Sequence, residues 1–170
     1  MRLSRRYVLI LLLFPLVGFA QDAALVKKQA QRYATASFNG DFKTVIDLTY
    51  HKLVALSGGR EEMQKLITER IESLQKQGIM KFDGSVDDPG KFYKAGTHIH
   101  CLVPETVILK MFNGRFVSRT YLLAISTDQG KSWSFMDVGK MPKDVLYKLL
   151  PDYNDELVIP SSGKPMFFTD

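Results

Sequence analysis

The sequence has a single cysteine, Cys101, and only three histidines in 170 residues. One cysteine cannot form an intrachain disulfide or a four-cysteine zinc site, so neither stabilises this fold. Long hydrophobic runs are missing too: the longest, residues 7–20, spans 14 residues, below the roughly 20 that cross a bilayer. These absences exclude a disulfide scaffold and a polytopic membrane protein. They leave an ordinary globular chain of one domain.

Positive charge is concentrated at the start of the chain. Arg2, Arg5 and Arg6 precede the apolar run, which ends in small residues at Ala20. A basic start, a short apolar stretch and a small-residue end are typical of a secretory signal peptide over residues 1–20. An uncleaved anchor is the alternative. We therefore expect an exported protein, periplasmic or secreted, with no stable membrane anchor.

The net charge of the mature chain is small. The whole sequence carries +5, but removing the three N-terminal arginines leaves 20 Lys and Arg against 18 Asp and Glu, or +2. Nucleic-acid binding requires a clustered basic surface, which this balance does not offer. We expect no nucleic-acid partner. No nucleotide loop or calcium loop is present either, so we expect no cofactor.

Helical patterns occupy the first half of the mature chain. Apolar residues recur every three or four positions over 22–38, where Asp22 is a suitable N-cap, and again over 60–77. Asp41 is placed to cap a short helix between them. The run Leu53–Leu56 predicts a small strand or an irregular crossing.

Extended segments follow Gly78. They are rich in β-branched and aromatic residues and are separated by turn signals at Asn113-Gly114 and Asp128–Gly130. Pro142 starts a short helix, and residues 151–170 are expected to wrap the surface. The predicted strands are Ile79–Val86, Phe92–Val103, Glu105–Phe112, Phe116–Ser126 and Trp133–Val138. Helices followed by antiparallel strands indicate an α+β domain over residues 21–139, with a C-terminal extension over 140–170.

This order of elements resembles the nuclear transport factor 2-like superfamily, which includes ketosteroid isomerases and polyketide cyclases. The resemblance rests on the Asn39–Phe42 junction, the Gly58–Glu62 helix start and the two hairpins, within residues 22–139. It implies a cystatin-like cone, a curved sheet around a helix-covered pocket. It does not imply an activity, because that fold supports enzymes, binding proteins and adaptors.

Four polar residues are weak candidates for chemistry inside such a cone. Asp47 and His51 lie near the end of the second predicted helix, and Tyr121 and Asp137 lie on the last two strands. Ketosteroid isomerases combine an acidic base with a tyrosine donor. Strand alternation puts Tyr121 on the apolar side, where Asp137 is a potential structural partner. We expect these four groups to be dispersed and not catalytic.

His98 and His100 are weak candidates for metal binding. Two residues apart on a strand, they share a face, but zinc usually needs three or four protein ligands. The alternation puts both on the side away from the helices, at solvent or a subunit contact. Cys101 points the other way and is expected to be a buried, unreactive thiol.

Residues 126–133 match the Asp-box pattern S-x-D-x-G-x-x-W of sialidase-like propellers. A propeller needs several blades, and this chain has one copy in far too short a sequence. We therefore predict a stabilised hairpin built on Asp128 and Trp133.

Three functions remain open. The first is a binding module for a small apolar ligand in the cone or for a protein partner, with a homodimer through the sheet face as one form of the latter. The second is a cofactor-independent isomerase or cyclase. The third is a structural accessory protein of the envelope, whose cone is filled by its own side chains.

Overall fold

A computed structural model describes residues 17–169 of the chain, with side chains from Ala23 onward. Most of the predicted signal peptide, residues 1–20, lies outside the described residues. Within them, no helix combines the length and apolar character that a membrane span requires. The fold is α+β: helices pack on a curled antiparallel sheet that forms a half-barrel.

The helices follow the apolar patterns of the sequence, but the structure differs from the prediction in two places. α1 begins before residue 22, so Asp22 lies inside the helix and not at its cap. Asp41 caps α2 as predicted, accepting from the Thr44 amide at 3.1 Å. The Leu53–Leu56 run is helical, which makes the prediction of a strand or irregular crossing wrong. The helices are α1 (Val17–Asn39), α2 (Phe42–Leu48), α3 (His51–Leu56), α4 (Arg60–Lys76) and α5 (Lys143–Leu149).

Two long strands form the centre of the sheet. β3 and β4 pair along their whole length, and each has two shorter strands on its other side. β1 and β2 flank β3, whereas β5 and β6 flank β4. The strands are β1 (Lys81–Val86), β2 (Tyr93–Ala95), β3 (His98–Met111), β4 (Gly114–Ser126), β5 (Ser134–Asp137) and β6 (Met166–Phe168).

Pro104 does not divide β3 into the two predicted segments. The strand runs through it, because Pro104 lies in the gap between His100, the last residue paired with β2, and Glu105, the first residue paired with β1. The missing amide hydrogen therefore breaks no ladder on that side.

The face of the sheet that packs on α1 is called the inner face here. Val26, Ala30 and Ala34 of α1 are fully buried against it. The sheet residues of this core are Val86, Cys101, Val103, Leu122, Ala124 and Phe135. Small residues on α1 let the helix lie close to the strands, so this part of the inner face has a dry, well-packed core.

The opposite, outer face is covered by the C-terminal extension. Leu146, Leu149 and Leu150 of the α5 region pack on Leu123 and Ile125 of β4. Residues beyond α5 also return to the sheet as β6, a strand that the sequence did not predict. The C-terminal extension therefore packs on part of the outer face and adds a strand to the sheet.

Candidate functional site

A cavity of about 640 Å³ lies beside the dry core, on the other half of the inner face. The long strands continue past the end of the α1 packing, and their inward-facing side chains line the cavity. These are Glu105, Val107 and Leu109 of β3 and Ser118, Thr120 and Leu122 of β4. The volume lies within the roughly 300–1,000 Å³ of small-molecule sites.

Helix α4 forms one wall of this cavity. Its apolar stripe includes Met63, Ile67 and Ile71, which all line the cavity. No residue of α4 is fully buried, and Leu66 on the same stripe is 47% exposed. An amphipathic helix normally buries its stripe against other side chains. Here the stripe faces a space that the protein does not fill.

The floor of the cavity depends on a glycine in β1. Phe38, near the end of α1, packs directly on Gly84: a Cβ added there would come within 2.8 Å of the Phe38 ring and 2.1 Å of the Thr106 carbonyl oxygen. Only a residue without a side chain lets the ring lie so close to the strand. Phe38 thereby forms part of the cavity wall.

The C-terminal extension closes another side. Ser162, Gly163 and Pro165 line the cavity, and Ser162 Oγ donates to the Gly139 carbonyl oxygen at 2.8 Å. A Cβ at Gly139 would lie 2.3 Å from Ser162 Oγ. The segment therefore passes tightly over the end of β5.

Glu105 is the one carboxyl buried in the cavity wall. It is 6% exposed and forms no hydrogen bond or ion pair with any residue that the structure describes. Burial and, to a smaller extent, the neighbouring Asp137 carboxylate together raise the pKa of the Glu105 carboxyl to about 8. The group is thus largely protonated at neutral pH. A buried carboxyl without a partner in a cleft is typical of a functional site.

Tyr33 of α1 lies on the same cavity. Burial raises the pKa of its hydroxyl to about 12, the Thr49 hydroxyl lowers it, and the carboxyls of Glu105 and Asp137 raise it. The phenol therefore stays protonated. It offers a hydrogen-bond donor beside the two carboxyls.

Of the four candidates named from the sequence, Asp137 alone lines the cavity. It accepts from Thr120 Oγ1 and from the Gly139 amide, both at 2.9 Å. Tyr121 faces the outer side and packs with the cluster under α5, so it does not meet Asp137. The expected Tyr121–Asp137 pair is not formed, because the two residues lie on opposite faces of the sheet.

The other two candidates lie on the surface. Asp47 accepts hydrogen bonds from Lys43 at 2.7 Å and Arg60 at 2.6 Å, and these cations lower the pKa of its carboxyl. His51 is exposed at the start of α3, where its ring meets the edge of Tyr50. The structure does not bring these two residues together with Asp137.

The histidine pair is placed differently from the prediction. His100 is on the outer face, but it is 1% exposed, stacked under Tyr153 at 6.1 Å between ring centroids. Neither of its ring nitrogens has a hydrogen-bond partner among the residues that the structure describes. Burial, with His98 nearby, lowers the pKa of His100 to about 4. Among the described residues, no group of three or more His, Cys, Asp or Glu could hold a metal.

Cys101 lies in the dry core of the inner face. It is fully buried, and burial raises the pKa of its thiol to about 12. A thiol that stays protonated is a poor nucleophile.

The Asp-box segment is a tightly bonded turn. Ser126 Oγ donates to Asp128 and accepts from the Gly130 amide, both at 2.8 Å, while Asp128 also accepts from the Ser132 amide at 2.9 Å. The Ser132 hydroxyl, which donates to Asp128 Oδ2 at 2.6 Å, lowers the pKa of Asp128 most, and with the other bonds brings it to about 2. Trp133 is buried beneath the hairpin, with Phe92 against its edge. The cavity does not include this turn.

Comparison of the chain with protein-family models, with curated proteins and with solved structures found no match.

Glu105 is the residue that sequence reasoning missed. It has the same strand parity as Cys101 and Val103, which the alternation assigns to the core, so its carboxyl had to point inward. Strand parity predicts that Glu105 points inward, but it does not predict what the carboxyl meets there. Whether position 105 lies under α1 or beside an unfilled cavity depends on where the helix ends above the strand.

Proposed function

We propose that this protein binds a small, mainly apolar molecule in the cavity between α4 and the inner face. The observation that supports this is an apolar helix stripe facing unfilled space. Apolar surface left next to an open cavity gains free energy when a ligand covers it. Glu105, Tyr33 and Asp137 supply the few polar groups that orient a ligand in such a site.

The test is binding of a neutral hydrophobic fluorophore, N-phenyl-1-naphthylamine, to the purified protein. We expect saturable fluorescence enhancement that is lost in Val107→Trp, since an indole at position 107 fills the cavity. Ile108→Trp is the matched control, because residue 108 is the next on the strand and does not line the cavity. No enhancement with the wild type, or equal loss in both variants, would contradict the proposal.

Catalysis is the second candidate, and one observation favours it. A carboxyl with a pKa of about 8 in an apolar cavity, near a protonated phenol, is suited to move a proton at neutral pH. The test is hydrogen–deuterium exchange at the carbon next to the carbonyl of an apolar ketone. Exchange that requires Glu105 would move the assignment from a binding protein to an isomerase-like enzyme.

The third candidate, a structural accessory protein, requires a cone filled by the protein's own side chains. The unfilled cavity supports the binding role over this one. Membership of the nuclear transport factor 2-like superfamily stays part of the proposal, supported by the order of helices and strands and by a helix-covered pocket on a curled sheet.

Export is also part of the proposal, supported by the N-terminal pattern of residues 1–20. N-terminal sequencing of the protein from its native host should give Gln21, within a residue or two. Recovery of a cytoplasmic protein that begins at Met1 would contradict export without affecting the binding role.

A further inference from the structure

The polar part of the cavity contains two neighbouring carboxyls, those of Glu105 and Asp137. Glu105 is opposite Thr120 in the pairing of β3 with β4, and the Thr120 hydroxyl donates to Asp137 Oδ1 at 2.9 Å. The two carboxyls therefore flank one threonine on the inner face. Glu105 is more than nine-tenths buried, lines the cavity, and has no hydrogen-bond partner among the described residues.

The cations around the cavity do not neutralise this pair. Arg119 lines the cavity but is paired with Asp87. Arg70 and Lys140 also line it; like Asp137 they are exposed to water, where charge is strongly screened. Neither forms an ion pair with Glu105 or Asp137 in the part of the chain that the structure describes. Among the described residues, the charged group that acts on Glu105 is another carboxyl, that of Asp137.

A buried polar group that lacks a protein partner in a binding cavity can take its partner from a ligand. Two neighbouring carboxyls, one of them unpartnered, are satisfied best by a positively charged donor, since charge-assisted hydrogen bonds are roughly twice as strong as neutral ones. The aromatic rings of Tyr33 and Phe38 on the same cavity also favour a cation over an anion.

We propose that the ligand of this cavity is an apolar amine, whose ammonium group binds between Glu105 and Asp137 while its hydrocarbon body lies against the α4 stripe. This inference rests on the proposed function and specifies its ligand class.

Amine binding should release a proton from the protein. Free Glu105 is largely protonated at neutral pH, whereas a bound ammonium requires the carboxylate. A primary amine stays charged below about pH 10. Tyr33, whose pKa is raised to about 12, keeps its proton over this range. The other charged groups that line the cavity are Asp137, Arg119, Arg70 and Lys140. Affinity should therefore rise with pH up to about 8 and then level off.

The experiment compares three probes of one chain length, octylammonium, 1-octanol and octanoate, by isothermal titration calorimetry at pH 6, 7, 8 and 9. We expect the amine to bind about tenfold or more tightly than the alcohol at pH 8. The binding enthalpy should depend on the buffer's ionisation enthalpy at pH 7, which reports the released proton. Octanoate should bind least.

Glu105→Gln keeps the shape and removes the charge, so it should abolish the amine preference and its pH dependence while the alcohol still binds. Glu156→Gln, at an exposed acid outside the cavity, is the matched control and should behave as the wild type. Melting curves of both variants show whether they are folded.

Alcohol or octanoate binding at least as tightly as the amine, or an amine preference that survives Glu105→Gln, would overturn the amine inference and leave the proposed function standing. Failure of all three probes to bind the wild type would overturn both.

Discussion

The two halves of the inner face share strands and alternation but differ in what covers them. One half lies under α1, whose alanines approach closely and leave a dry core around Cys101 and Val103. The other lies under α4, whose stripe faces a cavity beside Glu105 and Val107. Strand parity therefore decides which way a side chain points. The covering helix decides whether it meets protein or space.

The largest expected effect is the difference in stability cost between truncating a leucine in a packed core and truncating one in the cavity wall. Leu123→Ala removes a side chain that is fully buried on the outer face, so it should cost about 2–5 kcal/mol of unfolding free energy. Leu109→Ala, in the cavity wall, removes a side chain that is only partly buried and should cost less than about 1 kcal/mol. Urea unfolding of both variants measures the two costs. Equal costs would show that the cavity half is packed as tightly as the rest.

The second prediction concerns pH, because Glu105 and His100, two buried titratable groups of β3, act in opposite directions. The folded state keeps the Glu105 proton that the unfolded chain loses above its ordinary pKa of 4.5. Stability from this group is therefore complete below pH 4.5 and is lost as the pH rises through about 8. Glu105→Gln should flatten this alkaline decline.

His100 has the reverse sign. Its folded pKa of about 4 is below the ordinary 6.5, so the unfolded chain binds a proton that the folded one excludes. Its stability contribution is complete above pH 6.5 and is lost as the pH falls toward 4. His100→Phe should reduce that acid loss. Melting temperatures from pH 4 to pH 9 for wild type and both variants test the signs, and unchanged curves in the variants would contradict them.

The third prediction concerns the cavity floor. In Gly84→Ala the new methyl group would clash with the Thr106 carbonyl and the Phe38 ring, so the variant should lose about 1–3 kcal/mol of stability. Gly163→Ala is the control, since nothing lies within 4 Å of a Cβ there. It should stay within about 0.5 kcal/mol of wild type. Thermal unfolding compares the two, and a harmless Gly84→Ala would mean that Phe38 does not pack on β1.

The smallest effect is expected away from both halves, in the Asp-box turn. Asp128→Ala removes the bonds to Ser126 and Ser132 and should cost on the order of 1 kcal/mol. Because the turn is not part of the cavity, probe binding should be unchanged. Loss of binding without a change in melting temperature would show instead that the turn is a site.

Much of the fold could be predicted from local chemistry. Three features that depend on local signals lie close to their predicted places: the N-cap at Asp41, the hairpin at residues 113–114 and the start of the last helix at Pro142. β6 was missed because its pairing with β4 is a long-range contact that no turn signal announces. The burial of His100 was missed because the residue that covers it, Tyr153, comes from the C-terminal extension.

The site was harder to predict than the fold. Asp47 and His51 are chemically suitable but face solvent, whereas Glu105 looked like one charged residue in a strand. Its importance depends on an unfilled volume above the sheet, which arises from the relative positions of α1 and α4. Sequence periodicity gives the faces of these helices and not the distance between them.

The most direct test of the account is thiol accessibility along the inner face of β3. Cys101 of the wild type, in the dry half, should react slowly with a small maleimide in the folded protein. Val107→Cys places a second thiol on the same face of the same strand, in the cavity half, where it should label rapidly with one equivalent and be protected by a bound probe. If the Val107→Cys thiol were as unreactive as Cys101, the open cavity, and the binding function proposed for it, would be contradicted.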